Sequence, residues 1–127
     1  MKRLEDKVFI MTGAARGIGA AGCKRMAEEG ASVVVSDVLD DEGIALKDEI
    51  VKDGGSATYR HLDVSNEKQV ELIFSDVREE YGKIDGIVNN AGISGVNKPT
   101  HEITLEEWQK VIDININGVF LCTRHII

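Results

Sequence analysis

One stretch near the start of the chain constrains the fold more than any other. An apolar run, Val8 to Met11, opens through Thr12 into Gly13-Ala14-Ala15-Arg16-Gly17-Ile18-Gly19, then a helical pattern, then a second apolar run ending at Asp37. Read physically, this is a strand, a glycine-rich turn, a helix and a second strand closed by a carboxylate, which is the layout of a dinucleotide site. Gly13 turns the chain off the strand, Gly17 carries no Cβ to block a pyrophosphate, and Gly19 lets the helix lie close on the sheet. The N-terminus of that helix, with Ile18 in its first turn, faces the phosphates. Asp37 stands where an acidic side chain accepts hydrogen bonds from both hydroxyls of an adenosine ribose.

The rest of the chain repeats the strand-helix alternation. The spacing predicts helices from Ile18 to Glu29, closed by Gly30, and from about Asp41 to Lys52, with Ile44, Ala45, Ile50 and Val51 as apolar positions. A third strand is expected over Ser56 to Leu62, followed by a helix capped by Ser65 and stopped by Gly82. Its Val70, Ile73, Phe74, Val77 and Tyr81 recur at helical spacing. A fourth strand, Gly86 to Asn89, leads through an irregular segment to Thr104 and Glu107, a capping box that starts the last helix. Strands alternating with helices require right-handed crossovers, and hence a parallel sheet with helices on both faces. The expected fold is α/β, a Rossmann-type doubly wound parallel sheet of strand order 3-2-1-4, forming one unit over residues 1–127 and stopping after the fourth strand-helix pair. Gly13 to Gly19 and Asn89 to Gly92 then meet at the crevice beside strands 1 and 4.

The glycine spacing, G-x-x-x-G-x-G after a threonine, resembles the short-chain dehydrogenase/reductase family. Asp63-Val64, Asn89-Asn90-Ala91-Gly92 and Asn115-Ile116-Asn117-Gly118 match it in the same order, from Lys7 to the end of the chain. The resemblance implies hydride transfer between a nicotinamide cofactor and an alcohol or carbonyl substrate. It implies cofactor contacts at Gly13, Arg16, Gly17, Ile18, Gly19, Asp37, Asp63, Val64, Asn89, Asn90, Ala91 and Gly92. It also implies a catalytic role for Asn115, whose place in an N-x-x-G pattern suits a bend in the helix around a relay water. Asn117 lacks that glycine. Proteins of this family are about twice as long and carry their serine and Tyr-x-x-x-Lys pair in the second half. Tyr59 and Tyr81 here have Asp63 and Asp85 four residues on, with no lysine to lower a phenol that titrates near pH 10. The chain by itself is therefore expected not to turn over, and a non-catalytic dinucleotide-binding module or an inactive truncation product stands as the alternative. Arg16 suits the extra phosphate of NADP, but Asp37 repels it and Val38-Leu39 supply no replacement cation, so NAD is the expected cofactor.

Composition narrows the field further. A net charge of −7 argues against nucleic-acid and anionic-membrane partners. The start turns acidic before a signal-peptide core forms and no apolar run reaches membrane length, so a cytoplasmic protein is expected. Cys23 and Cys122 read as small buried packing residues. His61, His101 and His125 have no mutual ligand spacing, so no metal is implied. The last helix carries Val111, Ile112, Ile114, Ile116, Val119, Phe120, Leu121, Ile126 and Ile127, more than one stripe, which suits packing on the sheet and on a partner. A homo-oligomer through that helix is expected. An open edge on strand 4 would add a tendency of the 127-residue chain to associate.

Overall fold

A computed structural model describes residues 2–127. Strands β1 (Val8–Met11), β2 (Ser32–Asp37), β3 (Ser56–His61) and β4 (Gly86–Val88) form one parallel sheet in the order β3-β2-β1-β4. Helices α1 (Gly17–Glu28), α2 (Asp40–Lys52) and α3 (Glu67–Tyr81) follow the first three strands. The chain then runs through α4 (Leu105–Ile112), a π-helical turn (Asp113–Asn117) and α5 (Gly118–Ile126).

The two sides of the sheet hold separate cores because strand side chains alternate between faces. Val33 and Val35 pack with Met11, Cys23, Ala27, Leu46 and Ile50 under α1 and α2. Val34 packs with Val8, Ile10, Val70, Phe74, Val77 and Cys122 under α3 and α5. Burial on both faces is why β2 reads as an unbroken valine run. Burial also pushes the thiols of Cys23 and Cys122 up to about 12 and about 11, so both remain protonated packing groups.

Four local expectations are corrected. Helix α3 is capped by Asn66, whose side chain accepts from the Gln69 backbone N–H, while Ser65 turns back on Asp63. Helix α2 buries Gly43, Leu46 and Ile50 and leaves Ile44 and Val51 exposed, because the missing side chain of Gly43 admits the Tyr59 ring. Strands β3 and β4 each stop one residue short of the expected end, since Leu62 and Asn89 already belong to the loops that build the crevice. The last helix is interrupted by the π turn at Asp113–Asn117. The glycine stops, by contrast, hold: Gly30 and Gly82 take φ values of +97° and +80°. Among the described residues no helix is long and apolar enough to cross a membrane.

Candidate functional site

The turns that follow β1 and β4 are tied into one unit by Thr12, which is 2% exposed. Its backbone N–H donates to the Val88 carbonyl at 3.1 Å. Its hydroxyl accepts from the backbone N–H groups of Asn90 and Ala91, both at 3.0 Å. Asn90 answers by donating through Nδ2 to the carbonyls of Thr12 and Gly13 at 3.1 and 3.0 Å. Gly13, at φ +59°, lies so close to this loop that a Cβ there would meet the Ala91 Cα at 2.7 Å; one on Gly19 would meet Asn90 Nδ2 at 2.6 Å. Buried backbone donors need partners, and these short side chains supply them where no strand does.

Above this floor lies a cleft of about 420 Å³ at the carboxyl ends of the strands. Of the residues singled out in the sequence, Gly13, Arg16, Asp37, Asp63, Val64, Asn90, Ala91 and Gly92 line it. Val38, Leu39, Leu62, Ile93 and Ile114 complete its walls and were not singled out as site residues. Neither was Thr12. The one signal for Thr12 was a polar β-branched residue at the end of an apolar strand, and its meaning depends on a loop far along the chain.

Gly17, Ile18, Gly19, Asn89 and Asn115 do not line the cleft. Gly17 stands in the open at φ +57°, with nothing within 4 Å of a Cβ built on it. The Ile18 side chain points to solvent. Asn89 turns toward α5, with Nδ2 3.3 Å from Thr123 Oγ1. Asn115 sits in the middle of the π turn and makes a reciprocal pair with one residue of the cleft wall. Its Oδ1 accepts from the Ile93 N–H and its Nδ2 donates to the Ile93 carbonyl, both at 2.8 Å. That pairing answers the cost of placing an amide among isoleucines.

Asp37 is held by the backbone at both oxygens. Oδ2 accepts from the Ala15 N–H at 2.9 Å, and Oδ1 from the N–H groups of Val38 and Leu39 at 2.7 and 3.2 Å. A carboxylate offers about four acceptor directions, so one remains, on Oδ2. Taking both ribose hydroxyls would require one of them to share an acceptor direction with a backbone N–H. At Asp63, Oδ1 receives both the N–H and the hydroxyl of Ser65, leaving Oδ2 without a protein partner among the described residues. Arg16 Nε pairs with Glu42 Oε2 at 2.8 Å.

Tyr59 offers no acid-base chemistry here. Burial, then the Asp40 carboxylate 2.6 Å from its hydroxyl, push its pKa further above the ordinary phenol value. The Tyr59 and His61 side chains that hydrogen-bond Asp40 hold its carboxyl below the usual range.

The site suits a dinucleotide on structural grounds. Helix α1 starts at Arg16 with no side-chain cap and no acid in its first turn, so its leading N–H groups and the positive end of its dipole are left unanswered. Beside them are the open space over Gly17 and the Asp37 carboxylate, tied to the Ala15 N–H. Phosphate, backbone approach and ribose each find a matching element.

A crevice of this kind, at the carboxyl end of a 3-2-1-4 parallel sheet, defines a nucleotide-binding α/β protein. The chain belongs to the short chain dehydrogenase family, which matches residues 7–127. It is 40% identical over 124 residues to a 3beta-hydroxysteroid dehydrogenase of Mediterraneibacter gnavus, covering 98% of this chain and 45% of that protein. A metagenomic short-chain oxidoreductase solved in complex with NADP superposes with a TM-score of 0.93 at 32% identity, over 97% of this chain and 56% of the other. An NAD+-bound xylitol dehydrogenase gives a TM-score of 0.93 at 30% identity, over 98% and 48%. The chain thus spans about half the length of the relatives it matches.

Proposed function

We propose that this chain is the cofactor-binding half of an oxidoreductase that takes NAD in preference to NADP and exchanges a hydride with an alcohol or carbonyl substrate. The observation that carries the reading is the Asp37 carboxylate, fixed by three backbone N–H groups at the cleft wall with one acceptor direction left. A carboxylate so fixed accepts from a ribose hydroxyl and repels a phosphate on the same carbon. When bound, the nicotinamide ring supplies the hydride chemistry.

The residues of this chain bind and position. The Gly17 turn and the start of α1 receive the pyrophosphate, and Asp63 Oδ2 and Val64 border the adenine. The Asn90-Ala91-Gly92 loop, held from below by Thr12, borders the nicotinamide ribose. Asn115 fixes the wall of that loop through Ile93, and in the whole protein it serves the proton relay. Proton transfer at the substrate oxygen is assigned to the half of such proteins that carries serine and Tyr-x-x-x-Lys, so the 127-residue chain alone is expected to be inactive.

Calorimetric titration of the chain with NAD and with NADP tests the reading. NAD is expected to bind at least about tenfold more tightly, which is about 1.4 kcal/mol. Asp37→Ala is expected to narrow that gap. Tighter binding of NADP to the unaltered chain overturns the assignment of Asp37.

We further propose that a second copy covers apolar side chains left exposed on the last helical segments, where Leu105, Trp108, Ile116 and Phe120 are 79, 56, 58 and 59% exposed. Large apolar groups left in solvent suit an interaction face.

A further inference from the structure

Among the described residues Arg16 is the only cation lining the cleft. It lies on the same side as Asp37, whose Oδ2 is bound to the backbone N–H of the preceding residue, Ala15. Left free, its guanidinium would meet a phosphate on the adenosine ribose with a planar fork of donors. It is not free, because Glu42, from the first turn of α2, holds Nε at 2.8 Å. Glu42 shares a shallow depression beside the cleft with Val38, Leu39, Asp40 and Asp41, so the sequence after β2 brings three more carboxylates up to the edge occupied by Asp37.

We propose that Glu42 is a specificity-determining residue: by pairing with Arg16 it cancels the one charge that would accept a 2′-phosphate, and so turns a loop suited to either dinucleotide against NADP. The inference rests on the NAD reading above. The pair is solvent-exposed on both sides, 65% at Arg16 and 50% at Glu42, so it adds little to stability. Its effect is on the charge that an incoming ligand meets. Asp37 repels the phosphate directly, whereas Glu42 acts by withdrawing an attraction. The two contributions are therefore separable.

The test is a cycle of four chains: unaltered, Glu42→Gln, Arg16→Gln and the double variant, each titrated with NAD and NADP at low ionic strength and each checked for folding by circular dichroism. Glu42→Gln is expected to tighten NADP by about tenfold, the scale of one unscreened surface charge pair, and to leave NAD within about twofold. The gain is expected to vanish when Arg16 is also replaced. An unchanged NADP affinity in Glu42→Gln, with NAD still bound, overturns the role of Glu42 and leaves the NAD reading intact. An equal gain in the Arg16→Gln background overturns it too, since removal of a negative charge alone would then suffice. Failure of the unaltered, folded chain to bind either dinucleotide overturns the NAD reading, and this inference with it.

Discussion

The starts of α1 and α4 solve the same problem in opposite ways. At α4 the leading N–H groups are answered from within: Thr104 Oγ1 accepts from the Glu107 N–H at 3.1 Å and Glu107 Oε1 accepts from the Thr104 N–H at 3.2 Å. Lys98 and then the Thr104 bonds hold the Glu107 carboxyl below its usual range, so the box stays charged at neutral pH. At α1 the cap position is an arginine whose side chain makes no capping bond, and the first turn contains glycines and no acid. One helix start is complete in itself; the other leaves its leading N–H groups without a side-chain partner. On the function proposed above, the difference separates residues that serve the fold from residues that serve a ligand.

Three substitutions sharpen that division or break it. Gly13→Ala is expected to act most strongly, because it adds a Cβ 2.7 Å from the Ala91 Cα at a φ of +59°. Left-handed strain and overpacking together should destabilise the fold by about 3 kcal/mol, read as a lowered midpoint of thermal unfolding. A midpoint unchanged within error would mean that the Thr12 knot yields more easily than its bonds suggest. Gly17→Ala shares the positive φ but meets open space. It should reduce stability by only about 1 kcal/mol while weakening NAD binding about tenfold or more, measured by calorimetry. Equal affinity in this variant would remove α1 from the pyrophosphate site. Thr104→Ala is the smallest and the mirror case: a loss of about 1 kcal/mol in denaturant unfolding, with dinucleotide affinity unchanged. A change in affinity there would erase the distinction between the two helix starts.

What the sequence made legible follows the range of the interactions involved. The α4 capping box and the Gly30 and Gly82 stops lie within a few residues of the groups they answer, so spacing alone identified them. The 3-2-1-4 order came from the glycine run and from the strand-helix alternation, both local patterns. Ser65 was expected to cap α3 because serine and asparagine are near-equal caps and adjacent here; the competing bonds to Asp63 decide for Asn66. The buried face of α2 depended on Tyr59, which periodicity within the helix does not contain. Thr12 gains its role from Asn90 and Ala91, and Asn115 from Ile93. Such partners meet only after the sheet has formed, and no spacing rule reaches them. The Arg16–Glu42 pair was hidden for the same reason, since it joins two helices across the end of β2.

The Thr12 knot also sets an order in time. Its hydroxyl accepts from the backbone of a residue 78 positions later, so the floor of the cleft has no partners until β4 has been made. At about 5–20 residues per second, the ribosome needs about 4–16 s to supply them. Until then β1 has β2 on one side and an open edge on the other, and the glycine turn is held from the β2 side alone, by the Ala14–Ser36 and Ala15–Asp37 bonds. The segment of the chain that is easiest to recognise on paper therefore becomes a complete cleft floor only once a loop far along the chain has joined it.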